Sequence, residues 1–365
     1  MKTLQIACLG LAAAMTQTIT NATVATDNRE SLRQKYAQPV ASWPPATLEP
    51  DTHYRPLGKL PKPPASSKAL KTLGKALFFD PRLSKSGQIA CASCHDPELG
   101  WGDGRSTSFG HDRQRGTRNA MTVLNSVYFE HSFWDGRASG IEQQALMPIT
   151  NPIEMADSLD GVIAKLKTIG GYQPLFVAAF DSDTIDAGRL AKALAAFEST
   201  VVSRPSRFDN FLSGNYRSLS DREIEGLHLF RTKAGCINCH SGPLLSDGKF
   251  HNIGLSYTAT PYQDFGRSEI TADSDDKGKF RTPSLRDLAF TGPYMHNGLF
   301  PHLRGVLNLY NRGIAFGKKL KPGEPAQSEL IKPLKLKRSE ILALEAFLGT
   351  LSSRPQRVLP PELPQ

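Results

Sequence analysis

The chain has 365 residues and a mass of 39.9 kDa, more than one ordinary hydrophobic core organises and enough for two domains. Hydrophobic content of 39%, a mean hydropathy of −0.34 and the lack of any apolar run near the ~20 residues of a membrane span beyond the N-terminus exclude a polytopic membrane protein, and five cysteines are too few for a disulfide scaffold. The formal charge of +9, falling to +8 without the first 25 residues, whose one charge is Lys2, is spread without a run of like charges, so it carries no nucleic-acid signature and allows an acidic partner surface at most.

Lys2, an uncharged stretch from Leu4 to Met15 and then small and polar residues up to Ala25 have the layout of a secretory signal peptide, read as residues 1–25 and pointing to the periplasm. Cys8 sits too early in it for a lipoprotein and leaves with it. Residues 26–64 carry eight prolines and no apolar period, which predicts an extended arm with helix beginning only after it. Leu70, Leu73 and Leu77 then share a helix face that stops before Pro81. Further helices are predicted at Ser158 to Ile169 and Ile185 to Val202. Another starts at Ser220, where Ser-x-x-Glu to Glu223 forms a capping box, and the last runs from Glu340 to Leu351. Few alternating runs are long enough for a sheet. The chain is therefore read as two mainly helical domains, 65–205 and 206–352, joined near Ser203 to Ser220 where Arg204-Pro205 and Ser213-Gly214-Asn215 break the period, with a Pro-rich tail over 353–365.

Gly-x-x-Leu-Phe occurs twice, at Gly74 to Phe78 and Gly226 to Phe230, and each copy is soon followed by Cys-x-x-Cys-His, which marks an internal duplication. Cys91-Ala-Ser-Cys94-His95 and Cys236-Ile-Asn-Cys239-His240 both match the c-type haem attachment signature. Two thiols three residues apart form thioethers to the vinyl groups of one porphyrin, and the adjacent imidazole ligates its iron. A Cys₄ zinc site is the alternative. It fits poorly with the immediate His in both motifs, with their wide separation and with export. A thioredoxin-like pair lacks its βαβ context. Two covalently bound haem c groups are the expectation. A pair of fully ligated haems makes an electron carrier; an enzyme needs one iron that can open a face.

Between the motifs, Phe133-Trp134-Asp135-Gly136-Arg137 leads into Glu142-Gln143-Gln144-Ala145 and Asn151-Pro-Ile-Glu154-Met155. From about Leu73 to Leu351 the chain resembles the bacterial dihaem cytochrome c peroxidase family, which includes MauG-type enzymes that oxidise residues of another protein. The resemblance implies a mainly α fold of two cytochrome c-like domains, with one haem on either side of their interface. It gives Trp134 the inter-haem electron relay, and places Gln144 and Glu154 in the distal pocket of the N-terminal haem. Peroxide must lose a proton to bind ferric iron, and the same proton must reach its outer oxygen for the O–O bond to break. A carboxylate at Glu154 suits both transfers, with Gln144 orienting peroxide. His111, in a polar Gly-rich loop, matches the histidine that caps the N-terminal haem in resting peroxidases. Asn119, Thr291 and Pro293 match the family's inter-haem site for one calcium ion, a hard cation held by oxygen ligands. His131, His228 and His251 give no comparable signal.

Ordinary members supply a methionine as sixth ligand to the C-terminal haem. Here the corresponding position in Gly305-Val-Leu-Asn-Leu-Tyr310 is tyrosine, as in MauG-type enzymes, with Met295 of the Pro-Tyr-Met-His turn as the alternative ligand. Oxygen ligation favours ferric and higher states, whereas a thioether favours ferrous iron. Tyr310 thus argues for the MauG-like branch and His111 for the ordinary peroxidases. The expected enzyme activates hydrogen peroxide at the His95 haem and draws electrons through Trp134 from the His240 haem. Its partner is a small cytochrome c or cupredoxin donor, or a protein whose residue it oxidises. A homodimer is allowed for, and a non-enzymatic dihaem electron carrier is the contrasting reading.

Overall fold

The computed structural model describes residues 31–256, 260–315, 324–354 and 356–365; the expected signal peptide and Cys8 lie outside them. None of the described helices is long and apolar enough to cross a membrane.

The chain folds as the leucine and alanine periods dictate, into α-helix with almost no sheet. α1 (Leu32–Tyr36) is a single turn. α2 (Lys68–Phe79) opens at Ser67, whose Oγ accepts from Leu70 N at 3.1 Å, and stops at Asp80 before Pro81. α3 (Gly140–Thr150), α4 (Leu159–Thr168), α5 (Tyr172–Phe180) and α6 (Ala187–Glu198) follow. α7 (Arg207–Leu212) lies inside the stretch read as a linker, because Ser206 and Asp209 cap each other's backbone and start a helix where the apolar period is too short to show one. α8 (Asp221–Arg231) begins at the expected Ser220–Glu223 capping box. α9 (Ser268–Thr271), α10 (Leu303–Arg312) and α11 (Arg338–Gly349) complete the helices. Strand is confined, among the described residues, to two antiparallel ladders of two residues per strand: β1 (His131–Ser132) with β2 (Ala138–Ser139), and β3 (Phe250–His251) with β4 (Phe280–Arg281).

Two hydrophobic cores form. One is built from Leu73 to Val201 around α2 and α6, and the other from Phe208 to Leu351 around α8 and α11. The duplicated glycines explain how each core closes. An added Cβ at Gly74 would sit 1.8 Å from the Ala193 carbonyl oxygen and 2.9 Å from Phe197 Cβ, and one at Gly226 would sit 2.0 Å from the Ala343 carbonyl oxygen and 2.7 Å from Phe347 Cβ. Only glycine lets the two backbones of each pair meet so closely. The two helix crossings are thus copies of each other, down to the Ala-Leu-x-Ala-Phe they rest on (Ala193 to Phe197, Ala343 to Phe347).

The terminal segments are not free. Residues 31–64 contain α1, contrary to the expectation of a helix-free arm, and Tyr36, Trp43 and Leu57 are buried in the second core. The Tyr36 hydroxyl accepts from Arg231 Nη1 at 3.0 Å, and its ring meets Trp43 edge-on at 5.1 Å. Aromatic burial of on the order of 150–250 Å² per ring outweighs the prolines' preference for an extended, solvated chain. The tail turns the other way. Val358 packs on the first core, Gly171 N donates to the Gln365 carbonyl at 2.8 Å and Arg82 Nη2 to that of Pro364 at 2.8 Å.

Candidate active site

Each Cys-x-x-Cys-His follows its glycine-bearing helix as a 3-10 turn, Cys91–Ser93 after α2 and Cys236–Asn238 after α8. The turns close alike: His95 N donates to the Cys91 carbonyl at 3.0 Å and His240 N to that of Cys236 at 2.8 Å. His95 Nδ1 lies 3.1 Å from the Trp101 carbonyl and His240 Nδ1 2.9 Å from that of Leu245. A carbonyl only accepts, so Nδ1 carries the proton in both rings and Nε2 keeps the lone pair a metal needs. Burial lowers the proton affinity of both imidazoles, which favours the neutral ligand form.

A cavity of about 720 Å³ is bordered by both motifs. Its wall is largely apolar. The four sulfurs do not converge on one another: the described residues hold one cluster of three metal-ligating side chains, Cys239, Asp247 and His251, and within it His251 Nε2 is already paired with Asp247 at 2.7 Å. Burial pushes the Cys91 and Cys236 thiols up to about 12. The zinc alternative therefore fails on donor geometry. Two thiols and one imidazole on the wall of an apolar chamber, twice over, fit two covalently attached haems.

Trp134, Gln144, Glu154, Tyr310, Met295, Asn119, Thr291 and Pro293 all border the same cavity. Trp134 is held at the turn between β1 and β2, where Gly136 at φ 73° leaves room for the Phe250 ring. Its indole Nε1 donates to the Asn119 carbonyl at 2.9 Å. Gln144 projects from α3. Glu154 follows that helix in a loop where Asn151 Nδ2 donates to its Oε1 at 2.9 Å. Burial raises the Glu154 carboxyl above the usual range, the Arg137 charge and the Asn151 bond offsetting only part of it, so its proton is held more tightly than on a surface glutamate. Tyr310, on α10, has its phenol raised by burial.

His111 is the exception. It is absent from the cavity wall, its Nε2 faces Asp112 at 3.3 Å and its Nδ1 has no partner. Its turn is held by the Glu154 loop, His111 N donating to the carbonyls of Ile153 (2.9 Å) and Glu154 (2.8 Å), while Asp112 and Arg113 adopt positive φ.

Three residues that sequence reasoning passed over also border the cavity. Glu198, at the end of α6 and 5% exposed, is pushed up to about 8 by burial. Arg281 and His296 are buried as well, and each keeps a side-chain nitrogen without a partner. His296 stands in the Pro-Tyr-Met-His turn, which was a usable signal. Nothing in the sequence marks Glu198 or Arg281.

The model of the di-haem cytochrome c peroxidase family matches residues 68–217. The methylamine utilization protein MauG of Methylorubrum extorquens is 42% identical over 295 residues, 80% of each chain. The cytochrome c551 peroxidase of Nitrosomonas europaea is 41% identical over 230 residues, 62% of this chain and 68% of its own. Among solved structures, a MauG-like protein associated with microbial copper homeostasis superimposes with a TM-score of 0.72 at 34% identity, covering 84% of this chain and 96% of that one.

Proposed function

The chain belongs to the dihaem cytochrome c peroxidase family, in its MauG-like branch, and is a haem-dependent oxidoreductase of two cytochrome c-like domains; on that premise we propose that it reacts with hydrogen peroxide at the His95 side of the cavity and passes electrons through Trp134 from the His240 side. The observation that carries the reading is that one chamber is bordered by both attachment motifs, by Trp134 and by the Gln144–Glu154 pair. When bound, the two haems supply the iron that takes peroxide and the electrons that reduce it.

The chain's own groups do the rest. Glu154 Oε2 takes the proton of incoming peroxide and returns it to the departing oxygen, a shuttle suited to a carboxyl whose proton affinity burial has raised. Asn151 fixes the other oxygen of that carboxylate, and the Gln144 amide orients the peroxide. Trp134, clamped by its bond to Asn119, is the relay. Asn119, Thr291 and Pro293 are the proposed holders of one calcium ion, and the Asn119 amide and the backbone carbonyls supply the hard oxygen donors it prefers. His111 serves only as a resting-state ligand, reached by a swing of its turn. We assign 65–205 and 206–352 as the two haem domains, the periplasm as the compartment after loss of residues 1–25, and a small cytochrome c or cupredoxin as electron donor.

A second reading has its own support in Tyr310, which borders the same cavity as Cys239 and Cys236, and in the MauG relative: oxidation of a residue on a partner protein. The test of the shared first step is Glu154→Gln in holoprotein with two haems per chain by pyridine haemochrome. Loss of the proton shuttle should slow the reaction with peroxide about 10²–10⁴-fold. Wild-type kinetics in that variant would remove Glu154 from the mechanism.

A further inference from the structure

Two buried side chains near Trp134 each keep one nitrogen without a partner among the described residues. Arg281, in β4 and 6% exposed, reaches the Phe133 carbonyl with Nε at 3.4 Å and Met121 sulfur with Nη2 at 3.4 Å, lies over the Phe129 ring at 3.9 Å, and has nothing for Nη1. His296, 3% exposed, stacks on Phe280 at 3.7 Å with its Nε2 unbonded. Both are locked to Trp134. Arg281 N donates to the Trp134 carbonyl at 2.7 Å, and the His296 carbonyl accepts from Asn119 N at 2.7 Å while Asn119's own carbonyl holds the indole. Both border the cavity.

The other well-covered arginines show what is missing. Half-buried Arg118 is shared among Asp135, Asp264 and Glu269, and buried Arg286 has Asp209 on two bonds. Buried Arg231, with no carboxylate partner among the described residues, donates through Nη1 to the Tyr36 hydroxyl and lies over the Tyr36 and Trp43 rings. Among the described residues Arg281 touches no carboxylate and keeps Nη1 without a partner, and burial pulls it down to about 10. A buried guanidinium without a counter-ion is costly, and its planar fork matches a carboxylate better than any other anion of that size except phosphate. The His296 imidazole, with Nε2 unpartnered, offers a second donor on the wall of the same cavity. The reading of the cavity as a dihaem chamber brings in carboxylates of its own, because every haem carries two propionates.

Resting on that reading, we propose that Arg281 and His296 form a carboxylate receptor that holds a haem propionate beside Trp134, and that the Arg281 charge sets the potential of that haem. A cation near the iron stabilises the added electron, so removing it lowers the potential.

The test is equilibrium spectroelectrochemistry of holoprotein, preceded by a haem count. A count other than two per chain overturns the dihaem reading itself, separately from the receptor. With two haems in place, Arg281→Gln should shift at least one midpoint potential downward, and Arg281→Lys, which keeps the charge, should restore most of it. Redox-difference infrared spectra with isotope-labelled haem propionates should show a carboxylate band displaced in Arg281→Gln. Wild-type potentials in Arg281→Gln, or equal displacement in both variants, would overturn the receptor and leave a packing role. If Arg281→Gln does not mature, His296→Leu against His296→Gln decides: a lowered potential that glutamine's donor restores supports the receptor, and equal potentials overturn it.

Discussion

The proposed ligand role of the phenol at position 310 would change what the second iron can do. Tyr310 sits on α10 and borders the same cavity as the two cysteines of the second motif, so the proposed choice of ligand rests on one side chain rather than on a rearranged domain. Phenolate or phenol oxygen stabilises ferric iron relative to ferrous, and sulfur does the opposite. Tyr310→Met should therefore raise the potential of the His240 haem, introduce the charge-transfer band of methionine-ligated ferric haem and shift the enzyme toward cytochrome-driven peroxide reduction. Met295 borders the same cavity, which makes the control informative: a methionine band already present in the unmodified protein and lost in Met295→Leu would return the chain to methionine ligation. The two Cys-x-x-Cys-His motifs were legible because covalent haem attachment requires both residue type and spacing. Arg281 and Glu198 were not. A buried charge in β4 or at the end of α6 looks, in sequence, like any solvated one, and only the fold reveals that it faces the chamber.

At the scale of elements, the repeat proved more literal than the sequence suggested. Gly-x-x-Leu-Phe is visible twice because α2 and α8 each need a glycine at the crossing; the Ala-Leu-x-Ala-Phe of the facing helices is the other half of the same constraint and was overlooked because it sits far along the chain from its partner. α7 and α1 were missed for a different reason. Helices of six and five residues hold too little apolar period to be seen, and they form through a capping box and through burial against the second core. The crossing yields a sharp expectation. Gly226→Ala would place Cβ 2.0 Å from the Ala343 carbonyl, so α8 must back away from α11. Overpacking of this kind costs about 1–3 kcal/mol, more than the helix propensity gained from alanine, about 1 kcal/mol. Gly349→Ala at the end of α11 meets nothing and should be neutral or stabilising. Urea unfolding of the two variants should separate them; equal midpoints would mean that the glycine is not what brings the helices together.

Among the described residues the arm packs on the second core and the tail on the first, so the two halves are tied by more than the peptide between them. One buried cation holds several of these pieces. Arg286, 2% exposed, donates to Asp209 on α7 through Nη1 at 2.9 Å and Nη2 at 3.1 Å, to the Pro243 carbonyl just past the second attachment motif at 2.7 Å, and to the Gly58 carbonyl of the arm at 3.0 Å. Burial alone would raise the Asp209 carboxyl, but the Arg286 bonds and charge, with help from Ser206, hold it below its ordinary value. A depressed carboxylate contributes stability that is fully present above the unfolded value of about 3.9 and is lost as pH falls through the lower folded value. Asp209→Asn leaves the guanidinium buried without its counter-ion, at a cost of about 3–5 kcal/mol at neutral pH, and removes this share of the acid sensitivity. Urea titrations from pH 7 down to about pH 3 should thus show a less stable variant whose deficit narrows toward the acid end. A deficit that stays constant with pH would mean that asparagine costs packing rather than charge. A deficit below about 1 kcal/mol, the range of an exposed pair, would show that the arm and α7 are held by their apolar contacts and not by Arg286.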